Sequence, residues 1–142
     1  MPNRHPLIYL YVHMIRLVED EIERNDEFFS EYHPILKLLV LRLSNLYRKL
    51  DYPEQVTSTE FDAGFDLLFS NGMEIPESET DFTLIWVSAS CLSHVSFVIA
   101  SVLPFVPLAN ILSKKTLQIL IRPRLSLENC LKKLVDIESD LL

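Results

Sequence analysis

An all-α fold is what this sequence predicts, on three observations. Apolar residues recur at three- and four-residue steps through most of the chain, which is the spacing of one helix face. No segment shows the convincing apolar/polar alternation of a half-buried strand. Helix-start chemistry also stands where apolar runs begin, at Pro34, at Thr57-Ser58-Thr59-Glu60 and at Ser126.

The elements follow in order. From Leu7 to Glu23, Ile8, Tyr11, Ile15, Val18 and Ile22 form one stripe, with Glu19, Asp20, Glu21, Glu23 and Arg24 crowding the second half. A second helix runs from about Pro34 to Leu50, with proline suited to its first turn and Ile35, Leu36, Leu39, Leu43, Leu46, Tyr47 and Leu50 on one broad face. Asp51-Tyr52-Pro53 stops it. In the third helix, Thr57 and Glu60 make a capping box, each able to bond the other's backbone. Phe61, Phe65, Leu68 and Phe69 are its stripe, and Asn71-Gly72 can close it in the left-handed conformation. Met73 to Thr80, acidic and holding Pro76, reads as a loop.

Residues 82–113 carry no formal charge over 32 positions, long enough to cross a bilayer. Five serines between Ser88 and Ser101, a histidine, and prolines at 104 and 107 interrupt the run. A buried central helix is the preferred reading, since a helix apolar all round also suits a bundle core. Pro107 can start a further helix, which Lys114 and Lys115 return to water. Ser126 caps a last helix whose Leu127, Leu131, Leu134, Val135 and Leu142 oppose Lys132, Lys133, Asp136 and Asp140. The 142 residues, 49% apolar, form one domain.

Composition narrows the chemistry. Two glycines, Gly64 and Gly72, cannot build a phosphate-cradling loop. A net charge of -7 disfavours nucleic acid. Cys91 and Cys130 sit in apolar helical segments, as free thiols do in a reducing compartment. The apolar run after Arg4 meets His13 and no small-residue cleavage site, so it reads as helix and not signal peptide. Cys91 and His94 are the closest pair of metal-ligand types, too few for a site, and no serine stands beside both a base and an orienting acid. Glu74, Glu77, Glu79 and Asp81 lack the alternation and glycine of a calcium loop. Lys114, Lys115, Arg122 and Arg124 read as a solvated face. No enzyme, metal or cofactor is implied. Leu38 and Leu41, one turn apart among Lys37, Arg42, Ser44, Asn45 and Arg48, are either sandwiched inside the domain or exposed as an interaction edge.

The segment Phe61-Asp62-Ala63-Gly64-Phe65-Asp66-Leu67-Leu68-Phe69-Ser70-Asn71-Gly72 resembles the stretch leading into the first homology region of the Bcl-2 (B-cell lymphoma) family, which ends in Leu-Phe-x-Asp-Gly. The family's following Asn-Trp-Gly-Arg has its nearest match in Asp81-Phe82-Thr83-Leu84-Ile85, where Leu84 replaces the arginine and Thr83 the glycine. The last homology region and a C-terminal membrane anchor are not recognisable.

The resemblance implies a Bcl-2-like bundle of six or seven helices around a central hydrophobic helix, most like a short, divergent viral pro-survival member. It implies an apoptosis inhibitor, in the host cytoplasm or peripheral at mitochondria, that sequesters the amphipathic BH3 helix of pro-apoptotic proteins in a surface groove. Leu39, Leu43, Leu46, Phe65, Leu68, Phe82, Leu84 and Trp86 are the expected groove residues. Two alternatives stay open: a membrane-inserted helical protein using residues 82–113 as span or hairpin, and a structural helical homodimer.

Overall fold

The computed structural model describes residues 5–53, 55–71, 79–102 and 125–141. Among them are six α-helices and no strand: α1 (Pro6–Arg24), α2 (Asp26–Tyr32), α3 (Pro34–Lys49), α4 (Ser58–Asn71), α5 (Glu79–Val102) and α6 (Leu127–Asp140). The all-α expectation is met.

Local signals act as their chemistry dictates. Thr57 and Glu60 close a reciprocal box: the Thr57 amide donates to Glu60 Oε1 at 3.0 Å and the Glu60 amide to Thr57 Oγ1 at 3.1 Å. The Ser126 hydroxyl accepts from the Asn129 amide at 3.2 Å and starts α6. At the end of α3 the Tyr52 amide donates to Tyr47 O and the Asp51 amide to Arg48 O, both at 3.1 Å, with Asp51 at φ 60°. This pair of bonds is the Schellman closure, and aspartate tolerates its left-handed residue better than a branched side chain does. The turn lays Tyr52 against Tyr47, ring centroids 5.1 Å apart.

Two elements share the middle of the molecule. Nearly every residue of α5 from Leu84 to Ser96 is buried, and α5 packs against α1, α3 and α6. The first half of α1, expected to bury one stripe, is buried almost all round, because α3, α4 and α5 cover it on different sides. Contact with α4 is close: a Cβ on Gly64 would stand 2.7 Å from the Pro6 carbonyl oxygen and 2.9 Å from Leu10 Cβ. Tyr47 on α3 and Ser88 on α5 share a buried hydroxyl hydrogen bond, and Arg16 of α1 donates to Ser44 of α3 at 2.6 Å.

Several expectations need correction. Glu79 and Thr80, placed in the acidic loop, belong to the first turn of α5, where carboxylates are favoured by the helix dipole. The short α2 falls where the sequence predicts no helix. Val135, placed on the buried face of α6, is 41% exposed, because it lies a full 100° step beyond buried Leu134. Gly72, Glu74, Glu77, Pro107, Lys114, Lys115, Arg122, Arg124 and Leu142 lie outside the described residues, as does most of the expected loop and the second half of the uncharged run.

Candidate functional site

An open apolar cleft of about 410 Å3 lies where the α2–α3 corner meets the end of α5 and the start of α6. Its lining is Tyr32, His33, Pro34, Ile35, Leu36, His94, Phe97, Val98 and Leu127. None of these carries a fixed charge.

The corner is built by aromatic packing. Asp26 and Glu27 occupy the first turn of α2, favourable at the positive end of the helix dipole, and Phe29 is its buried anchor. The His33 amide donates to the Phe29 carbonyl at 2.9 Å, and the His33 ring packs near Phe28 and Phe29, with centroids 5.5 and 6.2 Å away. Pro34 follows at the first position of α3, where its missing N–H costs no helix hydrogen bond. The chain therefore turns at His33 and presents Tyr32 and Ile35 outward, 64% and 52% exposed.

The opposite wall is pinned through Leu125. Its amide donates to Ser90 Oγ at 2.9 Å, and its carbonyl, which can only accept, receives the Nε2–H of His94 at 2.8 Å. Both polar groups of this residue are thus satisfied by α5 side chains, which sets where α6 begins and brings Leu127 to the cleft. Phe97, one turn beyond His94, is 70% exposed at the rim.

From the cleft an apolar row continues along α3 through Ile35, Leu38 and Leu41 at three-residue steps. The row borders α6: Arg42 Nη2 donates to Glu138 Oε2 at 2.9 Å, and Leu38 and Val135 each stand one turn from that ion pair. Leu38 and Leu41 are 48% and 40% exposed, so of the two readings open for them the structure selects exposure over an internal sandwich.

The expected groove residues are placed differently. Leu39, Leu43, Leu46 and Leu84 lie in the core with at most 1% of their surface exposed, because α1 and α5 close over the face of α3 that carries the leucines. They present no open wall or floor. Phe65 is half-buried on α4, stacked on Phe61 at 5.9 Å, and α4 packs chiefly on α1. Trp86 is half-buried with Lys133 Nζ 4.9 Å from its ring centre. The side chains of Leu68 and Phe82 lie outside the described residues.

Sequence reasoning missed Tyr32, His33, His94, Phe97 and Val98 as lining residues. The available signal was local: Tyr32-His33-Pro34 concentrates aromatic groups at a helix start, and Phe97 is the one large aromatic in the serine-rich part of α5.

Burial and the neighbouring Cys130 push the Cys91 thiol far up, away from the nucleophilic thiolate. Burial pushes Cys130 up to about 11. Among the described residues no group of three His, Cys, Asp or Glu could hold a metal ion, and no helix is long and apolar enough to cross a membrane. No family model, curated protein or solved structure matches the chain.

Proposed function

We propose that this protein inhibits apoptosis by binding an amphipathic helix of a pro-apoptotic partner, and that the seat is the cleft at the α2–α3 corner. The observation that carries helix binding is the continuity of that cleft with the exposed row Ile35, Leu38 and Leu41. Together they form a linear apolar track suited to side chains spaced three and four residues apart on a partner helix. Contiguous exposed apolar surface of this kind marks interaction sites on soluble proteins. The finer identification of the partner as a BH3 helix, and of the protein as a viral pro-survival type, is supported by the resemblance at residues 61–72.

This seat differs from the groove the resemblance implies, whose Leu39, Leu43, Leu46 and Leu84 are core. Calorimetric titration with a panel of BH3 peptides tests both levels. Micromolar or tighter binding that is lost in Phe97→Ser or Ile35→Ser supports the proposal. Binding unaffected by these changes moves the seat elsewhere, and absence of binding across the panel removes the apoptotic reading.

The exposure of Leu38, Leu41 and Val135 favours a second reading, a homodimer through the α3–α6 face. Sedimentation of the wild type and of Leu38→Lys/Leu41→Lys separates the two, since only a dimer dissociates on that change.

A further inference from the structure

Cys91 and Cys130 share one interface, and helix binding makes no use of them. Both are fully buried, Cys91 on α5 and Cys130 on α6. The two helices run antiparallel: Leu125, just before α6, bonds Ser90 and His94, whereas Lys133, further along α6, reaches back to the Trp86 ring. Cys130 lies between those contacts on α6 and Cys91 lies between them on α5, so the two stand within about one helical turn of each other along the interface. Burial raises the Cys91 thiol, and Cys130 is close enough to add to that effect.

The cover over this pair is thin. Within α6 only Cys130 and Leu134 are buried, and the helix packs chiefly on α3 and α5. One part-buried ion pair, Arg42 with Glu138, ties it further to α3. An element held by so few buried contacts opens at lower cost than the whole fold. Opening releases both thiols at once from the burial that keeps them protonated.

We propose that Cys91 and Cys130 form a redox latch: a small-molecule disulfide oxidises them to an intramolecular disulfide that fastens α6 onto α5 and fixes the α6 wall of the cleft. This does not depend on the helix-binding reading. With oxidised glutathione as the oxidant, the Cys130 thiolate, carried out on α6, attacks one glutathione sulfur and expels the other half as glutathione thiolate. The Cys91 thiolate then attacks the Cys130 sulfur of the mixed disulfide and expels the second glutathione. Two protein thiols become one disulfide, one oxidised glutathione becomes two reduced ones, and the two thiol protons pass to the departing thiolates.

The test incubates the folded full chain with oxidised glutathione at about pH 8, near the ordinary thiol value. Mass spectrometry of the intact chain and of its peptides should find a monomer lighter by two hydrogen atoms, with Cys91 joined to Cys130. The bridge should raise the melting temperature by roughly 10 °C, because it closes a long loop in the unfolded chain, and dithiothreitol should reverse the rise. Cys91→Ala should instead accumulate a glutathione adduct at Cys130. Glu138→Gln, which removes the tie to α3, should speed oxidation roughly two- to fivefold without changing the product. If the cysteine variant does not fold, the peptide map and melting temperature of the wild type still decide. A persistent glutathione adduct in the wild type, or a disulfide joining two chains, overturns the latch, since the pair then does not meet. So does a bridge that lowers the melting temperature. Local opening of α6 exposes little surface, so the oxidation rate should change little at low urea. A rate that rises from the outset with the full urea dependence of global unfolding shows that α6 does not open alone, and overturns the proposal too.

Discussion

Leu43 and Leu38 sit on the same helix, both read from sequence as interaction residues, and the structure assigns them opposite roles. Leu43 has no exposed surface and lies beneath α1 and α5. Truncation to alanine removes three buried carbons, about 2.4 kcal/mol at roughly 0.8 per methylene. A cavity adds to this, and helices packed on both sides limit its collapse, so the total should fall at about 3–5 kcal/mol. For a chain of this size that corresponds to a melting point lower by roughly 10–15 °C. Leu38 is 48% exposed, and in Leu38→Lys the lysine stem can retain part of its contact, so the stability change should stay under about 1 kcal/mol. Urea and thermal denaturation of the two single variants, followed by circular dichroism, measure both. If Leu43→Ala costs less than about 1 kcal/mol and instead eliminates peptide binding, Leu43 lines an open groove and the burial argument fails.

Other perturbations probe other contacts. Gly64→Ala should destabilise by about 1–3 kcal/mol in urea, despite alanine's better helix propensity, because its Cβ meets α1 backbone at Pro6; a stabilised variant would show that α1 and α4 are less closely packed. Tyr47→Phe should cost about 1–2 kcal/mol by depriving Ser88 of its partner, and Tyr47→Phe/Ser88→Ala should recover part of that loss; strict additivity would show the two hydroxyls uncoupled. In the native protein both thiols should react with a disulfide reagent at least about a hundredfold more slowly than in denaturant, since each is buried and hard to ionise; rapid native labelling would contradict the packing of α5 on α6. Burial alone would raise the Glu19 carboxyl, but hydrogen bonds from Ser44 and Arg48 and the charges of Arg48 and Arg16 outweigh it and hold the group below its ordinary value. A depressed carboxyl stabilises the fold above the unfolded-state value and loses that contribution as pH falls through the folded one. Wild type should therefore exceed Glu19→Gln by about 0.5–1 kcal/mol near neutrality, with the gap closing at the acid end; a gap constant with pH would exclude the ionic account.

Helix existence was legible because it is a local property. Thr57-Glu60 and Ser126 needed only their own neighbours to cap, and the stripes of α1 and α3 follow from the helical period. The seven-residue α2 escaped because it holds one buried anchor, Phe29, and spans too few turns to show a period. The candidate site was hardly legible, for a different reason. A broad leucine face on α3 looks the same whether it walls a groove or receives two helices, and only the placement of α1 and α5 decides between them. The partners of Tyr32 in the cleft lie in α5 and α6, and no local pattern states which distant segments meet. The eroded match at Leu84 also placed a core residue among the expected contacts.

The cleft's composite construction links ligand occupancy to folding itself. Its walls come from residues 32–36 on one side and from His94, Phe97, Val98 and Leu127 on the other, so no half of the chain can present the site by itself. An occupant that bridges both walls binds the native state and ignores the unfolded ensemble. At a hundredfold excess over its dissociation constant it would add about 2.7 kcal/mol to global stability. Thermal shift can therefore screen for partners without knowing their identity, because each true occupant works as a removable clasp between segments that the backbone joins only at a distance.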